Sequence, residues 1–99
     1  MLRGLDYILL IDRLHAYQGS VCALCGLTVR RGQWSGMGRE LGTIDHVVPR
    51  SLKGHEGFGN IVLAHRGCNN DKADRLPTGC ELIWLLAVNA RARVEPRVW

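Results

Sequence analysis

A small α+β domain is predicted for this chain: two short strands leading into a polar helix, with a longer helix at each end. Three observations carry that reading. The 99 residues suffice for one core and not two, because a chain this short buries only roughly 60 to 65% of its unfolded surface. The composition, 46% hydrophobic and 22% charged, is that of a folded protein and excludes a largely disordered one. Along the chain the apolar pattern then changes from helical to strand-like and back to helical. Aromatic residues make up only 6%, so the core is thin and the four cysteines are the first candidates for a staple.

The elements follow in order. Leu5, Ile8, Leu9 and Asp12 fall at helical spacing with charges on the other side, which predicts a first helix over 5–17 that stops at Gly19. Cys22-Ala23-Leu24-Cys25-Gly26 reads as a tight knuckle closed by glycine. Residues 30–39 hold three arginines, three glycines and no acid before Glu40, and read as a mobile basic loop. A strand is expected over 43–48, cut off by Pro49, and a second over 60–65, joined by the glycine-rich stretch 53–59. From Arg66 to Arg75 the pattern is polar and helical, with Pro77 as its stop. Thr78-Gly79-Cys80-Glu81 matches a capping box, so a last helix should run to about Ala90 and cover the core with Leu82, Ile83, Leu85, Leu86 and Val88. Residues 91–99 are expected to form a frayed basic tail.

The formal charge is +4 and the pI about 9.2, and all the cations except Lys53 and Lys72 are arginines, the better bidentate partner for phosphate. A polyanionic partner is favoured over an acidic or apolar one. The start of the chain lacks the pattern of a secretory signal, and the longest apolar run, 82–88, is far below the roughly 20 residues of a bilayer crossing. A cytoplasmic location is the default expectation, and in a reducing compartment closely spaced cysteines are read first as metal ligands.

Cys22-x-x-Cys25 lets one turn point two thiolates at a single ion, and His65-x-x-Cys68 repeats the two-residue gap forty residues later at a strand-to-helix junction. Together they predict a structural zinc site of Cys22, Cys25, His65 and Cys68, closed to chemistry by four protein ligands. A redox pair at Cys22 and Cys25 would leave the second matched pair unexplained. Cys80 is the rival fourth ligand; His65 is preferred, because a cysteine in a helix's first turn is more often a small packed residue.

A second constellation is interleaved with the two halves of the knuckle. Asp45 and His46 stand side by side at a strand end, followed by Asn60, Asn69 and Lys72. Taken singly they read as a hydrogen-bonded turn, caps and a solvated helix charge. Their joint placement beside a zinc knuckle favours phosphodiester chemistry, which needs a base for water and a cation for the charge that builds on phosphate.

The stretches Asp45-His46-Val47-Val48-Pro49-Arg50-Ser51, Gly59-Asn60-Ile61-Val62-Leu63-Ala64-His65 and Cys68-Asn69-Asn70-Asp71-Lys72, with the knuckle at Cys22 and Cys25, resemble the HNH endonucleases. That resemblance implies a ββα-metal (His-Me finger) core over 22–76, within a single nuclease domain spanning 1–99. It implies His46 as general base, Asp45 and Asn69 as ligands of a catalytic Mg²⁺ or Mn²⁺, and Asn60 as the residue that orients the base and shapes its loop, an H-N-N form. Lys72 is expected to meet a substrate phosphate, with Arg50, Arg30 and Arg31 as further backbone contacts and residues 91–97 as a nonspecific anchor. His55 is expected to be a solvated loop residue. The implied activity is DNA hydrolysis of low sequence specificity, leaving 5′-phosphate and 3′-hydroxyl ends, as in small phage and bacterial members. A homodimer or protein partner would be needed for concerted double-strand cleavage. The alternative is a zinc-stabilised nucleic-acid-binding module with an inactive nuclease site.

Overall fold

The computed structural model describes residues 4–30, 38–52, 54, 59–73 and 75–94. Its elements are helix α1 (Gly4–Gln18), strand β1 (Gly42–His46), a single 3-10 turn (Arg50–Leu52), strand β2 (Ile61–His65), helix α2 (Arg66–Lys72) and helix α3 (Gly79–Val94). The central unit is therefore β1, β2 and α2 in chain order, flanked by α1 and α3, as the sequence predicts.

Strands β1 and β2 form an antiparallel pair in which Ile44 faces Leu63, Asp45 faces Val62 and His46 faces Ile61. Every residue of β2 is buried, which accounts for its unbroken Ile-Val-Leu-Ala run: a strand covered on both faces needs no polar alternation. Its edge away from β1 is closed by other groups. The Gln18 carboxamide takes the Leu63 N–H (2.6 Å) and donates to the Leu63 carbonyl (3.0 Å) and to that of Val21 (2.8 Å), and the Ala23 N–H donates to the same Leu63 carbonyl (2.9 Å). One side chain thus stands in for a third strand, satisfying backbone groups that would otherwise be buried unpaired.

Helix α1 buries a different stripe from the expected one. Leu10, Leu14 and Tyr17 pack into the core with Tyr7 and Ile11 half-buried beside them, while Ile8 and Leu9 face outward. The unbroken apolar run from Tyr7 to Ile11 offers two stripes, and the one extended by Leu14 and Tyr17 at helical spacing is the one that packs. The helix ends as Gly19 and Ser20 take positive φ (61° and 58°), the Ser20 N–H returning to the His15 carbonyl (3.0 Å).

Helix α2 stops earlier than expected, at Lys72 rather than Arg75. Ala73 adopts φ 50°, and Arg75 turns back so that its Nε donates to the Lys72 carbonyl (2.9 Å) and its guanidinium to that of Asp71 (3.0 Å). Helix α3 starts on the predicted capping box: the Glu81 N–H donates to Thr78 Oγ1 (3.1 Å) and the Thr78 N–H to Glu81 Oε1 (3.0 Å). It continues to Val94, so Arg91 and Arg93 are helical rather than part of a tail, while residues 95–99 lie outside the described set. Only Val88 of its predicted apolar set is fully buried, Trp84 and Leu85 being half-buried. Leu82, Ile83 and Leu86 are exposed, because α3 rests on α1 and β2 along one narrow stripe. No described helix is long and apolar enough to cross a membrane.

Candidate functional site

The knuckle closes on itself before it meets its second half. The Gly26 N–H donates to the Cys22 carbonyl and the Cys22 N–H to that of Leu27, both at 2.9 Å, with Gly26 at φ 79°, a conformation that suits glycine. The Ala23–Leu63 hydrogen bond then fastens this turn to β2, whose last residue is His65. The sulfurs of Cys22, Cys25 and Cys68 and a ring nitrogen of His65 all fall within 4.8 Å of one another. His65 Nδ1 lies 3.3 Å from Cys25 Sγ and 3.8 Å from Cys68 Sγ, while its Nε2 lies 2.9 Å from the Thr28 carbonyl. Nε2 therefore carries the proton, and the Nδ1 lone pair points at the thiols, the outer hydrogen bond being the one that fixes a metal-binding histidine.

Three sulfurs and one imidazole nitrogen at this spacing fit tetrahedral zinc. Burial and the nearby sulfurs of Cys22 and Cys25 push the Cys68 thiol up to about 12, so this packing of thiols is unfavourable for thiolates until a cation joins them. The backbone N–H groups of Leu24 and His65 reach Cys22 Sγ at 3.4 and 3.3 Å, donors suited to a thiolate. Cys80 is exposed on the first turn of α3 and outside the cluster, so His65 and not Cys80 completes the set.

The second constellation assembles around the end of β1. Asp45 is fully buried, whereas the next residue, His46, is half-buried, the alternation expected of strand neighbours. Beyond His46 the chain bends at Val47 and Val48 and is held there by Asn60. The Asn60 carbonyl takes the Val47 N–H (2.8 Å), Oδ1 takes the Val48 N–H (2.8 Å), and Nδ2 donates to the Val48 carbonyl (2.9 Å). From α2, the Asn69 amide donates to the carbonyl of Ile44, the residue before Asp45 (3.3 Å).

Lys72 does not meet the expectation of a phosphate contact. It is only 1% exposed, and its ammonium donates to Asp45 Oδ1 (2.9 Å), Glu81 Oε2 (2.6 Å) and the carbonyls of His46 (2.8 Å) and Val47 (3.2 Å). A charge removed from water is tolerated only when paired and hydrogen-bonded, and reaching solvent would strip both carboxylates of their cation. Lys72 is accordingly an interior tie between α2, α3 and the end of β1.

The electrostatics of this cluster are one-sided. Burial, reinforced by the Glu81 carboxylate, raises the Asp45 carboxyl to about 7 against the opposing pull of Lys72. Burial also works against the charge on Glu81, but hydrogen bonds from Asp45, Lys72 and the Thr78 backbone outweigh it and hold Glu81 below the usual carboxylate range. As a carboxylate, Asp45 leaves Oδ2 buried with no donor among the described residues; protonated, Asp45 donates to Glu81. An orphaned, buried carboxylate oxygen fits a divalent cation as well as it fits a proton.

Sequence reasoning recognises Glu81 only as a capping residue. The signal it misses is that one carboxylate has two oxygens: Oε1 closes the capping box and Oε2 is free to reach Lys72. Of the other predicted contacts, Arg30 is exposed and 3.6 Å from Glu40. Arg31 and His55 lie outside the described residues, as does the side chain of Arg50.

Glycine at position 54 protects this arrangement. A Cβ built there would lie 1.8 Å from the Val48 carbonyl oxygen and 2.6 Å from Asn60 Nδ2, inside the clamp that follows His46. Gly54→Ala is expected to lower stability by about 1 to 3 kcal/mol, because the clamp must open to admit the methyl group. Thermal melting beside wild type checks this, and an unchanged melting temperature would show that the clamp yields freely.

The family model for HNH endonuclease matches residues 22–75, more than half of the chain and the segment that carries both the knuckle and the β1–β2–α2 unit. The chain belongs to the HNH endonuclease family. No curated protein and no solved structure matches it.

Proposed function

We propose that this protein is a divalent-metal-dependent endonuclease that hydrolyses DNA phosphodiester bonds, with His46 as general base and Asp45 and Asn69 as ligands of a catalytic Mg²⁺ or Mn²⁺. The observation that carries the reading is the convergence at the end of β1: Asp45 is anchored by Lys72, Asn60 clamps the backbone beyond His46, and Asn69 is hydrogen-bonded to the residue before Asp45. A bound divalent ion supplies charge stabilisation for the phosphate and the leaving oxygen. Asp45 would hold it through Oδ2, since Oδ1 is engaged by Lys72, with the Asn69 carboxamide as the second protein ligand. Oxygen donors of this kind select hard cations, and two protein ligands leave room for phosphate and water.

His46 in this reading accepts the proton of the attacking water. Its backbone is fixed from both directions, by Lys72 at its own carbonyl and by Asn60 at the next two residues, so the imidazole is presented from a rigid strand end. Asn60 acts through the loop backbone. The zinc knuckle contributes no reacting group; it pins the turn before β1 to the end of β2.

The direct test is cleavage of a labelled DNA duplex with Mg²⁺, Mn²⁺ or EDTA, followed by treatment with DNA ligase. Metal-dependent breaks that ligase reseals fit 5′-phosphate and 3′-hydroxyl ends. Binding without metal-dependent breakage would move the assignment to a zinc-stabilised nucleic-acid-binding module.

Arginines outside the core supply the nonspecific grip on DNA. Alanine at both Arg30 and Arg31 is expected to weaken binding about equally on unrelated sequences. The slope of log affinity against log salt should fall by about one for each phosphate that is no longer neutralised. A filter-binding salt titration checks this, and an unchanged slope removes the basic loop from the interface.

A further inference from the structure

Glu81 lies beyond the 22–75 segment that defines the family, yet it is fully buried against the cation that holds Asp45. Lys72 brings its single positive charge within 2.9 Å of Asp45 Oδ1. In a buried setting such a charge opposes a divalent cation on the same carboxylate far more strongly than it would in water. Glu81, whose Oε2 lies 2.6 Å from the same ammonium, offsets it. With both carboxylates ionised, Asp45, Lys72 and Glu81 together carry a formal charge of −1; with Glu81 neutral they carry none. Among the described residues Lys72 forms ion pairs with Asp45 and Glu81 alone, and its remaining partners are the uncharged carbonyls of His46 and Val47.

We infer that Glu81 is a positioning residue of the nuclease site: by neutralising Lys72 it lets that lysine brace the end of β1 without denying Asp45 to the metal. The inference rests on the proposed role of Asp45 as a ligand. It makes α3 part of the site rather than a cover for the core.

The test is Mn²⁺ affinity of the zinc-loaded, full-length protein, read from the electron paramagnetic resonance signal of free Mn²⁺. Glu81→Gln keeps a side chain that can close the capping box and removes the charge. It is expected to bind Mn²⁺ about 10- to 100-fold more weakly at unchanged zinc content, the usual cost of removing an outer-shell partner. The double variant Lys72→Gln, Glu81→Gln removes both charges while keeping hydrogen-bonding groups, and should return to near wild-type affinity; a purely structural role predicts no such rescue. Thr78→Ala, which breaks the cap but leaves the Glu81 charge, should bind Mn²⁺ like wild type.

Wild-type affinity in Glu81→Gln, or a double variant as weak as the single, would overturn the role of Glu81 while leaving the metal site standing. Wild type that binds no Mn²⁺ would overturn both. If Glu81→Gln does not fold, the double variant decides: near wild-type binding supports the inference and weak binding overturns it.

Discussion

Cys22→Ser protein is expected to purify without stoichiometric zinc and to lose its cooperative thermal transition. Cys22 is fully buried, its sulfur lies among those of Cys25 and Cys68, and it takes backbone N–H groups from both Leu24 and His65. Serine removes the soft thiolate that zinc needs and leaves those donors a poorer partner. Structural zinc is worth about 10 to 16 kcal/mol in small zinc-binding domains, while a whole domain is stable by only about 5 to 15 kcal/mol. The thin core, with Leu82, Ile83 and Leu86 of α3 left exposed, cannot replace that contribution. Zinc analysis with a thermal melt checks the prediction, and Cys80→Ser is its control: that exposed cysteine is outside the cluster and should alter neither zinc content nor melting. A Cys22→Ser protein that melts like wild type would remove zinc from the account of the fold.

His46→Ala is expected to lower the cleavage rate by about 10²- to 10⁴-fold, the usual contribution of a positioned general base, with zinc content and melting temperature close to wild type. Stability is spared because the groups that organise this strand end use its backbone: Lys72 binds the His46 carbonyl, and Asn60 holds Val47 and Val48. The pH dependence follows from two groups that must each lose a proton. An imidazole base must be neutral, and an ordinary histidine is so above about 6.5. Asp45, raised to about 7, binds a cation only as the carboxylate, so apparent metal affinity should fall about tenfold per pH unit below that value. Activity therefore rises with pH through about 6 to 7.5 and then levels. For the metal-free protein the sign is opposite: because the folded-state value of Asp45 lies above its ordinary 3.8, its contribution to stability is present in acid and is lost as pH rises toward 7. Rates measured across pH at saturating metal separate the two groups, since saturation removes the Asp45 limb and leaves that of His46. A His46→Ala enzyme cutting within a few-fold of wild type would assign the base elsewhere.

Residue spacing makes the metal knuckle legible because ligand chemistry is local: two gaps of two residues, one on a tight turn and one at a strand-to-helix junction, suffice to identify four side chains whose ligand atoms the fold then brings within 4.8 Å of one another. The two strands and the start of α3 are legible for the same reason, through a β-rich stretch cut off by Pro49, the apolar residues of 60–65 and a capping box at Thr78. The polarity of the interior is not. Lys72 reads in sequence as a solvated charge on a short polar helix, and nothing local announces that Glu81, nine residues on, folds back to neutralise it. The same limit applies to Gln18, whose carboxamide completes the edge of a strand 45 residues away. The apolar stripes of α1 and α3 are misread because both helices carry more apolar residues than one buried face can take, leaving Ile8, Leu9, Leu82, Ile83 and Leu86 outside. Which stripe packs is decided by neighbours that no single-helix pattern contains.

The most direct test of the central claim, that an HNH site at the end of β1 hydrolyses DNA with His46 as its base, is the conversion of supercoiled plasmid to nicked circles. Wild type and His46→Ala should be run side by side in Mg²⁺, Mn²⁺ and EDTA. The expected result is nicking by wild type with at least one of the two metals, none in EDTA and little or none by His46→Ala. Nicking by His46→Ala at the wild-type rate, or no nicking by folded, zinc-loaded wild type with either metal, would contradict it.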